Sequence, residues 1–177
     1  MRKLKNSELN RISVEEFKKA DKNPIVVVLD NIRSLNNIGS VFRTADAFRL
    51  EGLYLCGITA CPPHRDIQKT ALGATESVDW TYREKVSDAI DELKKNKYKI
   101  LALEQTDNSI KLNNFQSVNS NKVAVVIGNE IKGVSDEIIR SADFCLEIPQ
   151  FGTKQSFNVA VSCGILLWDL LLKMRML

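Results

Sequence analysis

The chain has 177 residues, of which 44% are hydrophobic and 27% charged, and this composition is typical of one globular domain. A chain of this length buries enough surface to fold without disulfides or bound metal. It contains one histidine, His64, and four cysteines that form no C-x-x-C pair. Zinc hydrolases, Ser-His-Asp hydrolases and disulfide-linked scaffolds are therefore poor candidates, and we expect no metal site.

The net charge of +3 is concentrated at the N-terminus. Residues 1–23 hold seven of the 25 basic residues and four of the 22 acidic residues, which leaves 18 of each sign in the rest of the chain. We therefore expect a basic N-terminal extension over 1–23 and a folded domain over 24–177. The extension is either a solvated leader or a non-specific contact for phosphates. Within it, Ser13-Val-Glu-Glu16 fits a capping box and predicts a short helix from about Val14.

The apolar segments do not predict a membrane protein. The longest runs from Phe157 to Leu172, is interrupted by Asn158, Ser162 and Asp169, and is shorter than the roughly 20 residues that a membrane span needs. The first residues also lack the apolar core of a signal peptide. We expect a soluble cytoplasmic protein with no membrane partner, whose four cysteines are reduced and buried.

Strand patterns alternate with helix patterns along the chain. Short apolar runs predict strands over 24–30, 53–56, 78–82, 98–104, 122–127 and 144–149. Helical spacing of apolar residues predicts helices over 36–48, 85–96, 135–142 and 156–174. Residues 67–75 are ambiguous, and the polar stretch 107–121 reads as an exposed loop. This alternation predicts an α/β domain with a mainly parallel sheet flanked by helices.

The last helix is apolar on nearly every side from Phe157 to Leu172. Such a helix has to be covered all round, and a helix at the end of a small domain leaves its outer face uncovered. Burial between two subunits is the simplest solution, so we expect a homodimer. The alternative is a helix sunk in the core of a single chain.

Three segments place polar residues and glycines directly after predicted parallel strands, where ligands bind in open α/β sheets. They are residues 36–46, 127–135 and 148–158. Each segment also has a purely structural interpretation. Asn37 and Ser156 could be helix N-caps, Arg43 a surface arginine, and Gly128-Asn129 a plain turn.

Taken together and in this order, the three segments resemble the SpoU (TrmH-like) family of RNA 2′-O-ribose methyltransferases, in the SPOUT superfamily. Residues 37–45 are similar to that family's N-x-G-x-x-x-R-T-A motif, residues 128–135 to its G-N-E-x-x-G-[LV]-S motif, and residues 148–159 to its I-P-x-x-G-x-x-x-S-[LM]-N-V motif. The resemblance extends over about residues 24–174. Phe157 departs from the usual Leu or Met, and Ala160 from a frequent Ser.

The resemblance implies a fold, a cofactor and partners. The family has an α/β domain with a C-terminal trefoil knot, is dimeric, binds S-adenosylmethionine and methylates RNA. By motif position, the cofactor-binding residues are Leu103, Glu104, Gly128, Asn129, Ile148, Gly152 and Phe157. Glycines at 128 and 152 would let the backbone approach the cofactor closely.

The resemblance also implies catalytic residues, namely Arg43, Asn37, Glu130, Ser156 and Asn158. Arg43 is the central one, either as an anchor for an RNA phosphate or as a base with a depressed pKa. The anchor is favoured because a free guanidinium has a pKa above about 12 and only donates hydrogen bonds. Asn37 would orient Arg43 or the ribose, Glu130 would fix the loop or Arg43, and Ser156 and Asn158 would contact the ribose or the partner subunit.

Two functions follow from these residues. The first is an S-adenosylmethionine-dependent RNA ribose methyltransferase, and the second is a non-catalytic RNA-binding protein on the same scaffold. Only about 23 residues precede the first strand, too few for a separate RNA-binding domain. This favours transfer RNA over ribosomal RNA as the substrate.

Overall fold

A computed structural model describes residues 1–116, 120 and 122–176 of the chain. The strands are β1 Asn23–Asp30, β2 Leu50–Cys56, β3 Trp80–Arg83, β4 Lys99–Leu103, β5 Ile110–Lys111, β6 Val123–Ile127 and β7 Phe144–Glu147. The helices are α1 Val14–Lys19, α2 Leu35–Ala47, α3 Arg65–Ala71, α4 Ala74–Ser77, α5 Val86–Lys95, α6 Asp136–Ser141 and α7 Val159–Lys173. Two short 3-10 helices cover Asn6–Glu8 and Leu112–Asn114.

The seven strands form one sheet in the order β3-β2-β1-β6-β4-β7-β5. Every pair of neighbours is parallel, which confirms the predicted sheet. At its centre, Leu103 at the end of β4 is paired with Ile127 at the end of β6 and with Leu146 in β7. Three neighbouring strands therefore end at the same level, at the edge of the sheet where ligands bind in open α/β folds.

The sheet is covered on both faces, because successive residues of β1 point to opposite sides. Ile25, Val27 and Leu29 join a core with α1–α4 and α7, whereas Val26 and Val28 join a second core with α5 and α6. Strands buried on both faces read as continuous apolar runs, which is why β1 and β6 are evident in the sequence.

Helix α2 is preceded by Ser34, whose hydroxyl accepts a hydrogen bond from the Asn37 backbone N–H. Ser34, and not Asn37, is therefore the N-cap. Gly39 lies where α2 meets α3, and a Cβ built there would stand 2.1 Å from the Thr70 hydroxyl and 2.3 Å from the Ile67 carbonyl oxygen. Only glycine allows the two helices to approach this closely.

The N-terminal segment contains the predicted capping box. The Glu16 N–H donates to the Ser13 hydroxyl, and the Ser13 N–H donates to the Glu16 carboxylate. The helix that follows buries Phe17, which is only 3% exposed. Residues before β1 are thus attached to the domain by one aromatic anchor.

Two expectations from the sequence differ from the structure, and the structure settles two details that the sequence pattern left open. The stretch expected as an exposed loop over 107–121 contains β5 and buries Leu112 and Phe115, while residues 117–119 and 121 lie outside the described part of the chain. The last helix begins at Val159 and not at Ser156, because Asn158 is its N-cap. The ambiguous stretch 67–75 is two helices, separated where Leu72 and Gly73 have positive φ. Ser135 stands at the N-cap of α6, but its side chain makes no capping hydrogen bond.

The four cysteines are free thiols. Cys56 and Cys163 are buried as expected, but Cys61 and Cys145 are partly exposed, so the expected burial was wrong for these two. Within the described residues, no helix is both long and apolar enough to span a bilayer.

Helix α7 buries one face in the core and exposes another. Val161, Ile165, Trp168 and Leu172 are between 37% and 52% exposed, and their spacing places them along one stripe. The alternative of a last helix buried all round in a single core is therefore wrong.

The contact at Gly39 predicts a large effect of one methyl group. Gly39→Ala should lower the free energy of unfolding by about 1–3 kcal/mol, because Thr70 and the Ile67 carbonyl have to move. Urea denaturation measures this loss. Ser40→Ala is the matched control, since the Ser40 hydroxyl bonds only within α2, and should change stability by no more than about 0.5 kcal/mol. Equal effects of both substitutions would contradict the close packing of α2 on α3.

Candidate functional site

A cavity of about 620 Å³ opens where β4, β6 and β7 end. Its apolar wall comes from the in-register residues Leu103, Ile127 and Leu146, together with Ile148 and Phe157 from the segment after β7. A small number of polar groups on an apolar lining is typical of a small-molecule site. The ends of the parallel strands therefore form a pocket suited to a compact organic ligand.

The charges around this cavity are all of one sign. Glu104, Glu130 and Glu147 line it, and no lysine or arginine does so among the described residues. Opposite charges attract across a site and like charges exclude each other. The cavity therefore suits a ligand that carries positive charge and disfavours one that carries phosphates.

The segment after β6 forms a tight turn that supplies one wall. Asn129 and Gly133 exchange two backbone hydrogen bonds of 3.0 and 2.9 Å. The Asn129 side chain accepts from the N–H groups of Ile131 and Lys132 inside the turn and donates to the Asn31 carbonyl outside it. Asn129 thus fixes both the shape of the turn and its distance from β1.

Two glycines make this turn possible. A Cβ on Gly128 would lie 2.1 Å from the backbone of Gly133 and Val134, and a Cβ on Gly133 would lie 2.1 Å from the Glu104 carboxylate. Gly133 also has a φ of +68°. The Glu104 carboxylate occupies the vacant space and accepts from the Val134 N–H at 2.9 Å, which joins the end of β4 to the turn.

Glu130 connects the turn to the start of α2. Its carboxylate accepts hydrogen bonds from the backbone N–H groups of Arg33 and Ser34, both at 3.0 Å, and from the Asn37 amide at 3.1 Å. Burial favours the neutral carboxyl, but these donors outweigh it and hold the pKa of Glu130 below its ordinary value. Glu130 is therefore an ionised structural acceptor near neutral pH.

Asn37 extends this hydrogen-bond network to the start of α7. Its side-chain oxygen accepts from the Asn158 amide at 3.0 Å, and the Asn158 oxygen accepts from the Ala160 and Val161 N–H groups at the start of the helix. Glu130, Asn37 and Asn158 form one chain of hydrogen bonds. This chain brings together residues from all three segments singled out in the sequence.

Arg43 lies outside the cavity. It is exposed on α2, six residues after Asn37, which corresponds to about 9 Å along a helix axis. Its guanidinium has no hydrogen-bond or ion-pair partner among the described residues. Asn37 bonds Glu130 and Asn158 and does not orient Arg43, and Glu130 fixes the loop and not Arg43.

The other expected site residues divide into two groups. The cavity is lined by Leu103, Glu104, Gly128, Asn129, Glu130, Ile148, Ser156, Phe157 and Asn158. Asn37 does not line it but bonds two residues that do, Glu130 and Asn158, and Gly152 does not line it either. A Cβ on Gly152 would meet no atom within 4 Å, so close approach inside this chain does not explain that glycine.

Several lining residues were missed by the sequence analysis. Glu147 at the end of β7 accepts from the Ser109 hydroxyl, and Gln105 donates to the Gln155 carbonyl at 2.9 Å. Gln105 follows β4 and Glu147 ends the neighbouring strand β7, so correct strand register is the signal that would have found them. The described residues contain no group of three or more potential metal ligands.

The state of Glu130 predicts a pH-dependent contribution to stability. Because its folded pKa is lowered, the contribution is complete above the ordinary value of 4.5 and is lost as the pH falls through the folded value. Glu130→Gln should therefore cost about 1–3 kcal/mol at pH 7, and the difference from wild type should shrink at pH 3. Urea unfolding at both pH values measures it. Glu137→Gln, at an exposed position of α6, should show no such dependence, and a constant difference for Glu130→Gln would contradict the assignment.

Comparison with known proteins identifies the family of this site. The SpoU rRNA Methylase family matches residues 24–168. The tRNA (guanosine(18)-2'-O)-methyltransferase of Aquifex aeolicus is 34% identical over 152 residues, which is 82% of this chain and 67% of that protein. The enzyme of the same name from Borreliella burgdorferi is 29% identical over 162 residues, or 92% of this chain and 72% of that protein.

The fold agrees with this relationship. A crystal structure of an AdoMet-bound rRNA methyltransferase from Sinorhizobium meliloti superposes with a TM-score of 0.77 at 25% identity. The match covers 91% of this chain, which spans 60% of the length of that one. The three strand-end segments that build the cavity all lie inside the matched region, and the chain belongs to the SpoU rRNA Methylase family.

Proposed function

We propose that this protein transfers a methyl group from S-adenosylmethionine to a ribose 2′-hydroxyl of RNA. The observation that carries the proposal is the acidic, phosphate-excluding cavity at the ends of β4, β6 and β7. Family membership and relatives named as 2'-O-methyltransferases support the reaction. Two of those relatives are named for tRNA, and we therefore propose tRNA before rRNA as the substrate. An RNA substrate would place the enzyme in the cytoplasm.

The cavity fits this cofactor. S-adenosylmethionine has a net positive charge, since its sulfonium and ammonium groups outnumber its one carboxylate, and Glu104, Glu130 and Glu147 give the cavity the opposite charge. Its adenine needs apolar flanks, which Ile148 and Phe157 supply. The volume of about 620 Å³ is ample for a molecule of this size. We propose as the binding set the six expected residues that line the cavity, Leu103, Glu104, Gly128, Asn129, Ile148 and Phe157. Gly152 does not line the cavity and is left out of this set.

The bound cofactor would supply an electrophilic methyl group on its sulfonium sulfur. The chain has to hold a ribose hydroxyl in line with that group, accept or direct its proton, and keep competing water away. Ser156 and Asn158 lie at the cavity wall, where their polar groups can contact the ribose. Asn37 holds Asn158 in position, and Glu130 holds Asn37.

Arg43 completes the site as a phosphate anchor. An exposed guanidinium donates hydrogen bonds and matches the oxygens of a phosphate in pairs. Its exposed position on α2 supports this role over that of a base, because no neighbouring group in the described chain competes for its donors. A phosphate oxygen of the RNA or another group near the hydroxyl then accepts the proton.

We propose that the active site spans two subunits of a homodimer. Arg43 lies outside the cavity of its own chain, so a second copy is the simplest way to bring an arginine to the cavity mouth. The apolar stripe of α7 supports association, because four large side chains along one face are 37% to 52% exposed.

Two further features follow from the family resemblance. We propose that residues 24–177 form the SPOUT methyltransferase domain, with 1–23 as a basic extension attached through Phe17; the family match from residue 24 supports this boundary. We also propose the C-terminal trefoil knot. The sheet order supports it, because the consecutive strands β6 and β7 lie on opposite sides of β4.

The proposed chemistry is tested by titrating S-adenosylmethionine into the protein and then measuring transfer of labelled methyl groups into unfractionated tRNA. Arg43→Ala should lower kcat/KM at least 100-fold while the dissociation constant for S-adenosylmethionine stays within about twofold of wild type. Arg140→Ala is the matched control, since Arg140 is also exposed but lies in the last turn of α6, before the start of β7 and away from the strand ends that form the cavity. Equal turnover by Arg43→Ala would remove the anchor role. Absence of both cofactor binding and transfer, with RNA binding intact, would favour the non-catalytic alternative.

The α7 stripe predicts the oligomeric state. Trp168→Glu should convert dimers to monomers in light scattering and abolish methyl transfer, because a charge is placed in the centre of the apolar face. Leu72→Glu, at a 65% exposed position away from α7, should leave the mass unchanged. A monomeric Trp168→Glu protein with full activity would show that one chain is sufficient.

A further inference from the structure

A second cavity lies beside the first. It has a volume of about 500 Å³ and shares Asn129, Ile131 and Gly133 with the cofactor cavity, so the 129–133 turn is a wall common to both. Its other side is formed by the loop after β1, with Asn31 and Arg33, and by Ile58 after β2. None of the residues assigned a catalytic role in the proposed methyl transfer requires this cavity.

The second cavity has the opposite charge character. Arg33 and Lys132 line it, both are exposed, and neither side chain has a hydrogen-bond or ion-pair partner among the described residues. The carboxylate that lines it belongs to Asp30, which is 1% exposed and already accepts from the Asn31 amide and the Ser135 N–H. The second cavity therefore has two exposed cations against one carboxylate, and that carboxylate is buried.

Exposed apolar side chains stand beside these cations. Ile58 is 65% exposed and Ile131 is 76% exposed. Proteins hold single-stranded nucleic acid with cationic grooves that follow the phosphates and with aromatic side chains that stack on the bases. The second cavity has the cations, and its two isoleucines offer aliphatic contact in place of stacking.

The backbone that carries both cations is held rigidly. The Arg33 N–H donates to the Glu130 carboxylate, and the Lys132 N–H donates to the Asn129 side chain, both at 3.0 Å. Glu130 and Asn129 also line the cofactor cavity. The backbone positions from which the two cationic side chains extend are therefore fixed relative to the cofactor cavity.

We propose that the second cavity binds a nucleotide that neighbours the methylated one in the RNA chain, with its phosphate between Arg33 and Lys132 and its base or sugar against Ile58 and Ile131. This inference rests on the proposed function. The three carboxylates of the first cavity repel phosphates, so the backbone of an RNA that presents its ribose there has to follow an adjacent cationic surface. The second cavity supplies that surface across a single turn.

The test measures binding of unfractionated tRNA by Arg33→Ala, Lys132→Ala and the double variant over a range of salt concentrations. Because both side chains are proposed to contact the same phosphate, the double variant should reduce the slope of log K against log salt concentration by about 0.7–0.9, and each single variant by no more than that. We expect the dissociation constant for tRNA to rise roughly 10-fold in the double variant. The KM for tRNA should rise while kcat and the dissociation constant for S-adenosylmethionine stay near wild type.

Two controls keep the result specific to this cavity. Lys95→Ala removes an exposed lysine at the end of α5. This position precedes the start of β4 and is therefore away from the strand ends that form the cavities, so the slope should stay unchanged. Arg33→Lys keeps the charge and should keep the slope, and its thermal unfolding and that of the alanine variants verify that each protein is folded.

Unchanged slope and affinity in the double variant would overturn the inference, as would an equal loss in Lys95→Ala or a loss of cofactor binding. If wild-type protein binds tRNA with the expected dependence on Arg33 and Lys132 but transfers no methyl group, the proposed reaction fails and the binding site stands. If methyl transfer is normal and the slopes do not change, the inference alone fails.

Discussion

The site depends on the hydrogen bonds that the Glu130 carboxylate accepts. Its donors are the Arg33 and Ser34 N–H groups and the Asn37 amide, which lie more than 90 residues away in the sequence. A carboxylate can satisfy several donors at once, and charge makes each of these bonds stronger than a neutral one. Through Asn37 the same connection reaches Asn158 at the start of α7. The Glu130 carboxylate therefore links the segments that follow β1, β6 and β7, and the sheet below them brings the strand ends to the same level.

Much of the fold could be predicted from the sequence because its strands are buried on both faces. The runs that became β1 and β6 are continuous and apolar, and Ser13 and Glu16 mark the start of α1 by residue type alone. The sequence did not predict elements that are very short or helices that are interrupted by a turn. β5 has only two residues inside a polar stretch, and the α3–α4 junction depends on the positive φ of Leu72 and Gly73. Periodicity needs several residues to be visible, so neither feature leaves a pattern.

The candidate site was predicted as a set of residues but not as a network. Motif spacing placed Asn37, Glu130 and Asn158 in one site, yet these residues follow β1, β6 and β7, and their mutual hydrogen bonds depend on the register of those strands across the sheet. For Arg43 the motif is clear, but the structure of one chain gives the side chain no contact. Its exposed position on α2 is explained only by a second molecule that binds there. The opposite charges of the two neighbouring cavities could not be predicted from the sequence either, because Arg33 and Glu104 are 71 positions apart and no sequence pattern relates them.

The Asn158 side chain makes two structurally important sets of hydrogen bonds at the same time. Its oxygen caps the first turn of α7, and its amide holds Asn37. An N-cap of this kind contributes about 1 kcal/mol to a helix. Fraying at the start of α7 therefore releases the cavity wall together with the helix end, so the dynamics of that terminus and the organisation of the site cannot be separated.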